Sequence, residues 1–246
     1  WYGGITNGDR DVNLGVALNI EELDIFSNPN FIQAETVLAA ETSITAGSPR
    51  RLWGFTSDNL DNLYAISDDA AGTPKADIWQ LTASVANPGN WALWLDGAQN
   101  SRNTYASNLI WQGIGNPITS ARIYYVVGTN SLYYQGVNIT TGAITGSETS
   151  VGTLTGLTAT SKYIPMIRVD GELFIGHGQY VATVSVDGTF NDDSFTLPAD
   201  WQCVGFAAIS GDQIAILAIH TVTGSNESKI FFWDKTSSTG ANDEIN

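Results

Sequence analysis

Groups of short β-prone runs recur along this 246-residue chain at a spacing near fifty residues, and that repeat constrains the fold more than any other feature. Each run holds five to nine residues rich in β-branched and aromatic types and is bounded by Gly, Asn, Asp or Ser. The first group comprises Leu52 to Thr56, Asn62 to Ile66, Asp77 to Leu81 and Trp91 to Leu95. The second comprises Asn108 to Gln112, Arg122 to Gly128, Ser131 to Val137 and Ile144 to Val151. The third runs Tyr163 to Val169, Glu172 to Gly176, Tyr180 to Val186 and Ser194 to Leu197. The fourth shows only three, Cys203 to Ile209, Gln213 to His220 and Ser228 to Trp233. Third-strand positions Trp79, Tyr133, Ala182 and Phe231 lie 54, 49 and 49 residues apart, the length of a four-stranded propeller blade.

The pattern inside the strands separates a propeller from a sandwich. Ile123-Tyr124-Tyr125-Val126-Val127 and Ile214 to Ile219 are apolar at consecutive positions, so both faces must be covered, whereas a two-layer sandwich leaves one wet face on each sheet. Tight turns are spelled out at Asp170-Gly171, Asp187-Gly188 and Ser210-Gly211-Asp212. Helical periodicity is confined to Asn19–Phe26 and Gln33–Ala40, so little helix is expected. The expected fold is therefore an all-β propeller of about four four-stranded blades. The domain division is an N-terminal assembly segment over 1–30 and a propeller over 31–246, with blades at about 50–100, 105–155, 160–200 and 201–246. Because the fourth group lacks an outer strand, a strand at 31–38 is expected to close the ring and remove two exposed edges.

Ten basic residues against 25 acidic ones leave a formal charge of −15, which repels phosphate backbones and anionic lipid, so neither nucleic acid nor membrane is an expected partner. Charged residues make up only 14% of the chain, too few for coiled coils or charge-laced bundles. No apolar run approaches the roughly 18 residues a membrane helix needs. Cys203 cannot form an internal disulfide and is expected to be a small core residue. The chain starts at Trp1 without a basic, then apolar, leader, so any leader is expected to be absent, cleaved or outside this sequence.

Residues that could carry chemistry are few. His177 and His220 sit in strand contexts, and no HExxH, GxSxG, zinc-type Cys spacing or glycine-rich nucleotide loop is present, so no cofactor or metal is expected. Paired carboxylates are the minimal kit for glycoside hydrolysis, and Asp68/Asp69, Asp192/Asp193, Asp58/Asp61 and Glu21/Glu22 are the candidates. Adjacent side chains on an extended chain point apart, which favours turn and solubility roles for them. Asp9, Asp11 and Asn13 have calcium-loop spacing, but Leu14 stands where such a loop turns on Gly. Asn138-Ile139-Thr140 and Asn226-Glu227-Ser228 fit the glycosylation sequon. The candidate ligand-stacking rings are Trp91, Trp94, Tyr124 and Tyr134, each weighed against packing between blades.

The opening Trp1-Tyr2-Gly3-Gly4-Ile5-Thr6 and the element Leu23-Asp24-Ile25-Phe26-Ser27-Asn28-Pro29-Asn30-Phe31-Ile32 carry a resemblance. They resemble the start of virion structural proteins of tailed bacteriophages, in which a YGGI-like opening precedes propeller-like β repeats. The resemblance covers the first forty residues by motif and the rest by architecture; the Trp-led start and the abrupt end depart from it. It implies a non-enzymatic structural or adhesive part of an extracellular particle, in the tail or on the exposed surface. The expected partners are other virion proteins, in a homo-oligomeric or multi-copy assembly, and a host-surface glycan. It brings no catalytic residues. The alternatives are a lectin-like carbohydrate-binding propeller and, behind it, a glycoside hydrolase.

Overall fold

A computed structural model describes residues 23–24, 33–34, 52–68, 76–81, 91–98, 106–127, 130–157, 163–209, 213–236 and 244–245. The chain divides into two compact units, Trp1–Ser43 and Ile44–Asn246. In the first, β1 (Leu23–Asp24) pairs antiparallel with β2 (Gln33–Ala34). Strand, not helix, thus occupies the described part of both stretches with helical periodicity.

The second unit is a four-bladed β-propeller, each blade a four-stranded antiparallel meander in chain order. Blade 1 holds β3 (Leu52–Ser57), β4 (Leu63–Asp68), β5 (Ala76–Leu81) and β6 (Trp91–Ala98). After β7 (Ala106–Ser107), blade 2 holds β8 (Ile110–Ile114), β9 (Ser120–Val127), β10 (Ser131–Val137) and β11 (Ile144–Thr153). β12 (Tyr163–Ile164) pairs in parallel with β7 and so ties the entrances of blades 2 and 3. Blade 3 holds β13 (Met166–Val169), β14 (Glu172–His177), β15 (Tyr180–Val184) and β16 (Phe190–Thr196). Blade 4 holds β17 (Trp201–Ala208), β18 (Ile214–His220), β19 (Ser228–Trp233) and β20 (Glu244–Ile245). Helix is absent among the described residues.

The expected closing strand at 31–38 is corrected by this topology. Glu244–Ile245 supplies the missing fourth strand through Ile230↔Ile245 and Phe231↔Glu244, while Gln33–Ala34 is already paired with β1. The turns behave as their sequence dictates. Asp170 and Gly171 have φ of 52° and 82°, the pair of positive values that a two-residue hairpin needs to match strand twist.

Consecutive apolar residues on the second strands serve two seams at once. Ile123 and Tyr125 join Tyr64, Ile66 and Ile78 in the core between blades 1 and 2, while Tyr124 and Val126 join Leu173 and Ile175 in the core between blades 2 and 3. A third core packs Phe174 and Val181 of blade 3 on Ile214, Ile216 and Phe231 of blade 4. We call the side of a blade that meets the next blade its forward face, and the other its backward face.

Polar links fasten the same seams. Asp58, buried after β3, accepts hydrogen bonds from Leu60 N (2.8 Å), Asn62 N (3.0 Å), Asn62 Nδ2 (2.8 Å) and Tyr64 Oη (2.9 Å). Tyr64 is pushed well above an ordinary phenol by burial and by the Asp58 charge, so it stays a donor. Gly142, in the β10–β11 turn, offers its carbonyl to Tyr64 Oη, Gln80 Nε2 and Trp94 Nε1 of blade 1 at 3.0–3.2 Å. On the next seam, Gln112 Nε2 of blade 2 donates to the carbonyls of Gly171, Val184 and Ser185 in blade 3.

The four cations with described surroundings each lie against an aromatic ring: Arg122 on Tyr134, Arg168 on Trp111, Lys229 on Trp201 and Lys235 on Phe174. Arg168 thereby joins blade 3 to blade 2, and its Nη1 donates to the Trp111 carbonyl at 3.0 Å. Lys235 joins blade 4 to blade 3, where it also lies 3.9 Å from Asp170.

Candidate functional site

A depression of about 280 Å³ opens on the outer strands of blade 2, lined by Ser120, Ala121 and Arg122 of β9, Tyr134 and Gly136 of β10, and Thr145, Gly146, Ser147 and Thr149 of β11. Local backbone chemistry shapes its floor. Gly136 pairs with Thr145 across a register shift, and a Cβ there would meet Thr145 Oγ1 at 2.5 Å and the Thr145 carbonyl at 2.6 Å, so only glycine lets the strands approach this closely. Gly146 follows with a φ of 68°, a left-handed conformation that favours glycine.

Arg122 supplies the charge. Its guanidinium carbon lies 4.3 Å from the Tyr134 ring centroid, and Nη1 donates to Tyr124 Oη at 3.2 Å. No carboxylate pairs with it among the described residues, and its other N–H donors have no protein acceptor there. Burial raises the Tyr124 pKa, an effect only partly offset by Arg122, so the phenol stays neutral and leaves the guanidinium charge uncompensated. Hydroxyl-bearing Ser120, Thr145, Ser147 and Thr149 line the same depression, the Thr149 hydroxyl donating to the Ser147 carbonyl at 3.2 Å. A fixed planar cation beside hydroxyl-bearing residues can hold a carboxylate or vicinal sugar hydroxyls by paired hydrogen bonds.

Of the four expected stacking rings, the structure brings Tyr124 and Tyr134 together at this site, with centroids 5.7 Å apart, but neither offers a free face as foreseen. Tyr124 is 0% exposed and belongs to the blade 2–3 core, so no sugar can reach it. Tyr134 is half-buried beneath the Arg122 guanidinium. Trp94 lies edge-on to Tyr64 at 5.2 Å in the blade 1–2 seam, and Trp91 is half-buried on the backward face of blade 1. Arg122 and the β11 hydroxyls were missed because they converge only through strand pairing. The one sequence signal was a lone arginine in a chain with few cations.

The acidic pairs separate as alternation requires. Asp58 is buried in its hydrogen-bond network, and Asp61 is exposed in a turn with a φ of 62°. Asp192 clamps the backbone N–H and hydroxyl of Thr155, while Asp193 points to solvent. Asp68 ends β4; Asp69, Glu21, Glu22 and the Asp9–Asn13 stretch lie outside the described residues. Both sequon asparagines are exposed, and Asn138 Oδ1 accepts from Thr140 and Thr141 N–H. Among the described residues no three His, Cys, Asp or Glu side chains gather as a metal would require, and no helix is long and apolar enough to cross a membrane. Cys203 is buried against Gly176, its thiol pushed up to about 12 by desolvation, in keeping with a core role.

His177 is fully buried between its neighbours. Its Nδ1 accepts from Gly156 N–H at 3.1 Å, so Nε2 carries the proton and donates to the Asp192 carbonyl at 2.7 Å. Desolvation lowers its pKa, against the pull of Asp192 and Asp193. Because the unfolded chain takes up the proton near the ordinary value of about 6.5 and the folded chain resists it, stability is full above that pH and falls as acid drives the pH below it. Urea midpoints measured from pH 7.5 to 4.5 are expected to decline below about 6.5, with a slope of at most about 1.4 kcal/mol per pH unit from this group. His177→Gln is expected to remove that component.

Neither a family model nor a curated protein matches the chain. Among solved structures, it is similar to a GH43 glycoside hydrolase whose engineered active site displays both endo-xylanase and exo-arabinofuranosidase activity, with 14% identity and a TM-score of 0.40. The likeness covers 80% of this chain and 43% of that one. The expectation that the chain is not an enzyme is withdrawn. Its ground was the lack of sequence motifs, and glycoside hydrolysis needs only two carboxylates whose spacing is set by the fold and leaves no motif behind.

Proposed function

We propose that this chain is a glycan-binding propeller carried on the particle of a tailed bacteriophage, and that the blade 2 depression takes an acidic sugar through its carboxylate. The observation that carries the reading is Arg122, held on Tyr134 without an anionic partner among the described residues, in a depression lined by hydroxyl-bearing residues. In a chain of net charge −15, a cation left without a carboxylate is a cation available to something else. The particle setting rests on the N-terminal resemblance.

The test is binding to immobilised uronic- and sialic-type sugars beside their methyl esters, with the supernatant analysed for cleavage products. Free acids are expected to bind and esters to lose most of that affinity. Arg122→Ala is expected to weaken binding at least tenfold, and Arg122→Lys to recover little of it, since a point charge lacks the planar fork. Equal binding of acid and ester would sink the reading. Released sugar would show that the bound glycan is also a substrate. Mass spectrometry of purified particles tests the setting independently.

A further inference from the structure

The Arg122 guanidinium reaches across the seam to blade 3. A Cβ built on Gly188, in the β15–β16 turn, would lie 2.3 Å from Arg122 Nη1, 3.2 Å from its Cζ and 3.4 Å from Nη2. The same Nη1 donates to Tyr124 Oη, and the same Cζ lies over the Tyr134 ring. Any side chain at position 188 therefore competes for the space the cation fills when it engages both tyrosines.

The turn is braced where the arginine is not. Ser185 N–H donates to the Thr189 carbonyl and Gly188 N–H to the Ser185 carbonyl, each at 2.9 Å. Thr189 N–H donates to Ser185 Oγ at 3.1 Å and to Asp187 Oδ1 at 3.0 Å, and Gln112 of blade 2 donates to the Val184 and Ser185 carbonyls. Asp187 also accepts from Ser185 Oγ, which commits its carboxylate to the turn, and it forms no ion pair with Arg122 among the described residues. Where a flexible side chain meets a turn held by this many bonds, the side chain is the part that moves.

We infer that Gly188 is a positioning residue for the blade 2 depression: its missing side chain leaves the seat in which Arg122 is fixed, so the site is built by two blades. Its bearing on a ligand rests on the acidic-sugar reading above, whereas the seating of Arg122 stands apart from it.

Two matched glycines supply the test. Gly188 and Gly224 have φ of 88° and 89°, but a Cβ at Gly224 meets nothing within 4 Å. Gly188→Asn and Gly224→Asn thus carry comparable backbone strain, which asparagine tolerates better than most residues, and only the first reaches the cation. In the ligand-free protein the Arg122 Nε–H resonance, assigned by its disappearance in Arg122→Ala, is expected upfield because of the Tyr134 ring. Gly188→Asn is expected to abolish that displacement and Gly224→Asn to leave it. Arg122→Ala reads the contact from the other side, by shifting the Gly188 amide resonance, and leaves the turn itself unaltered. On immobilised uronic-type sugars, Gly188→Asn is expected to weaken binding by about tenfold or more in the wild type and by less than about twofold in the Arg122→Ala background.

An Arg122 resonance that keeps its place in Gly188→Asn overturns the inference, as does an unmoved Gly188 amide in Arg122→Ala or an equal loss of binding in both backgrounds. Equal binding of acid and ester, with the Arg122 resonance displaced by Gly188→Asn, removes the acidic-sugar reading and upholds the seating of Arg122.

Discussion

Asp58→Ala is expected to cost about 3–5 kcal/mol of unfolding free energy, the range for removing one partner from a buried charged network. The carboxylate accepts from two backbone N–H groups, the Asn62 amide and the Tyr64 hydroxyl, and alanine satisfies none of them. Water cannot easily substitute, since Asn62 and Tyr64 are 5% and 0% exposed. The damage should also reach beyond blade 1, because Tyr64 shares the Gly142 carbonyl with Gln80 and Trp94. Equilibrium urea denaturation checks the magnitude. Asp58→Asn should recover part of the loss, as one amide oxygen still accepts while its NH2 group faces other donors. A loss below about 1 kcal/mol for the alanine variant would show that the loop relaxes to recruit solvent.

Phe174→Ala carries the second large effect, again about 3–5 kcal/mol, through transfer and cavity contributions together. The ring is 0% exposed at the blade 3–4 seam, edge-on to Trp233 at 5.8 Å and beneath Lys235 Nζ at 5.6 Å. Trp233 also packs on Phe195 at 5.1 Å, so its collapse into the vacated space is opposed by a second contact. Thermal unfolding should therefore show a large drop in midpoint. Tryptophan fluorescence should shift as Trp233, 3% exposed in the intact protein, meets solvent. Phe174→Leu, which fills much of the volume, should cost distinctly less.

What could be read from the sequence and what could not divide along a physical line. The period near fifty, the two-faced strand at Ile123–Val127 and the Asp170-Gly171 turn are written in consecutive residues, and each appears in the structure as its local chemistry requires. The outer strand of blade 4 was invisible because Glu244–Ile245 is two residues long, one of them charged, and its pairing with Ile230 and Phe231 is a long-range event. The N-terminal strand that was expected there has comparable propensity, and only partner choice distinguishes them. The blade 2 depression was hidden for a related reason. Its residues span 120 to 149 and converge through a glycine contact and a register shift that no periodicity announces. Tyrosines were the visible candidates because aromatic residues stand out in sequence, yet in a blade packed on both sides most of them become wall.

The ring-borne cations have a bearing on how the disc would weather acid. An ion pair dissolves once its carboxylate takes a proton, whereas the quadrupole of an indole or phenyl face has no proton to gain. The Arg168–Trp111 and Lys235–Phe174 contacts between neighbouring blades thus persist as the surface loses its negative charge, so the seams on either side of blade 3 each keep one fastening that acid does not remove.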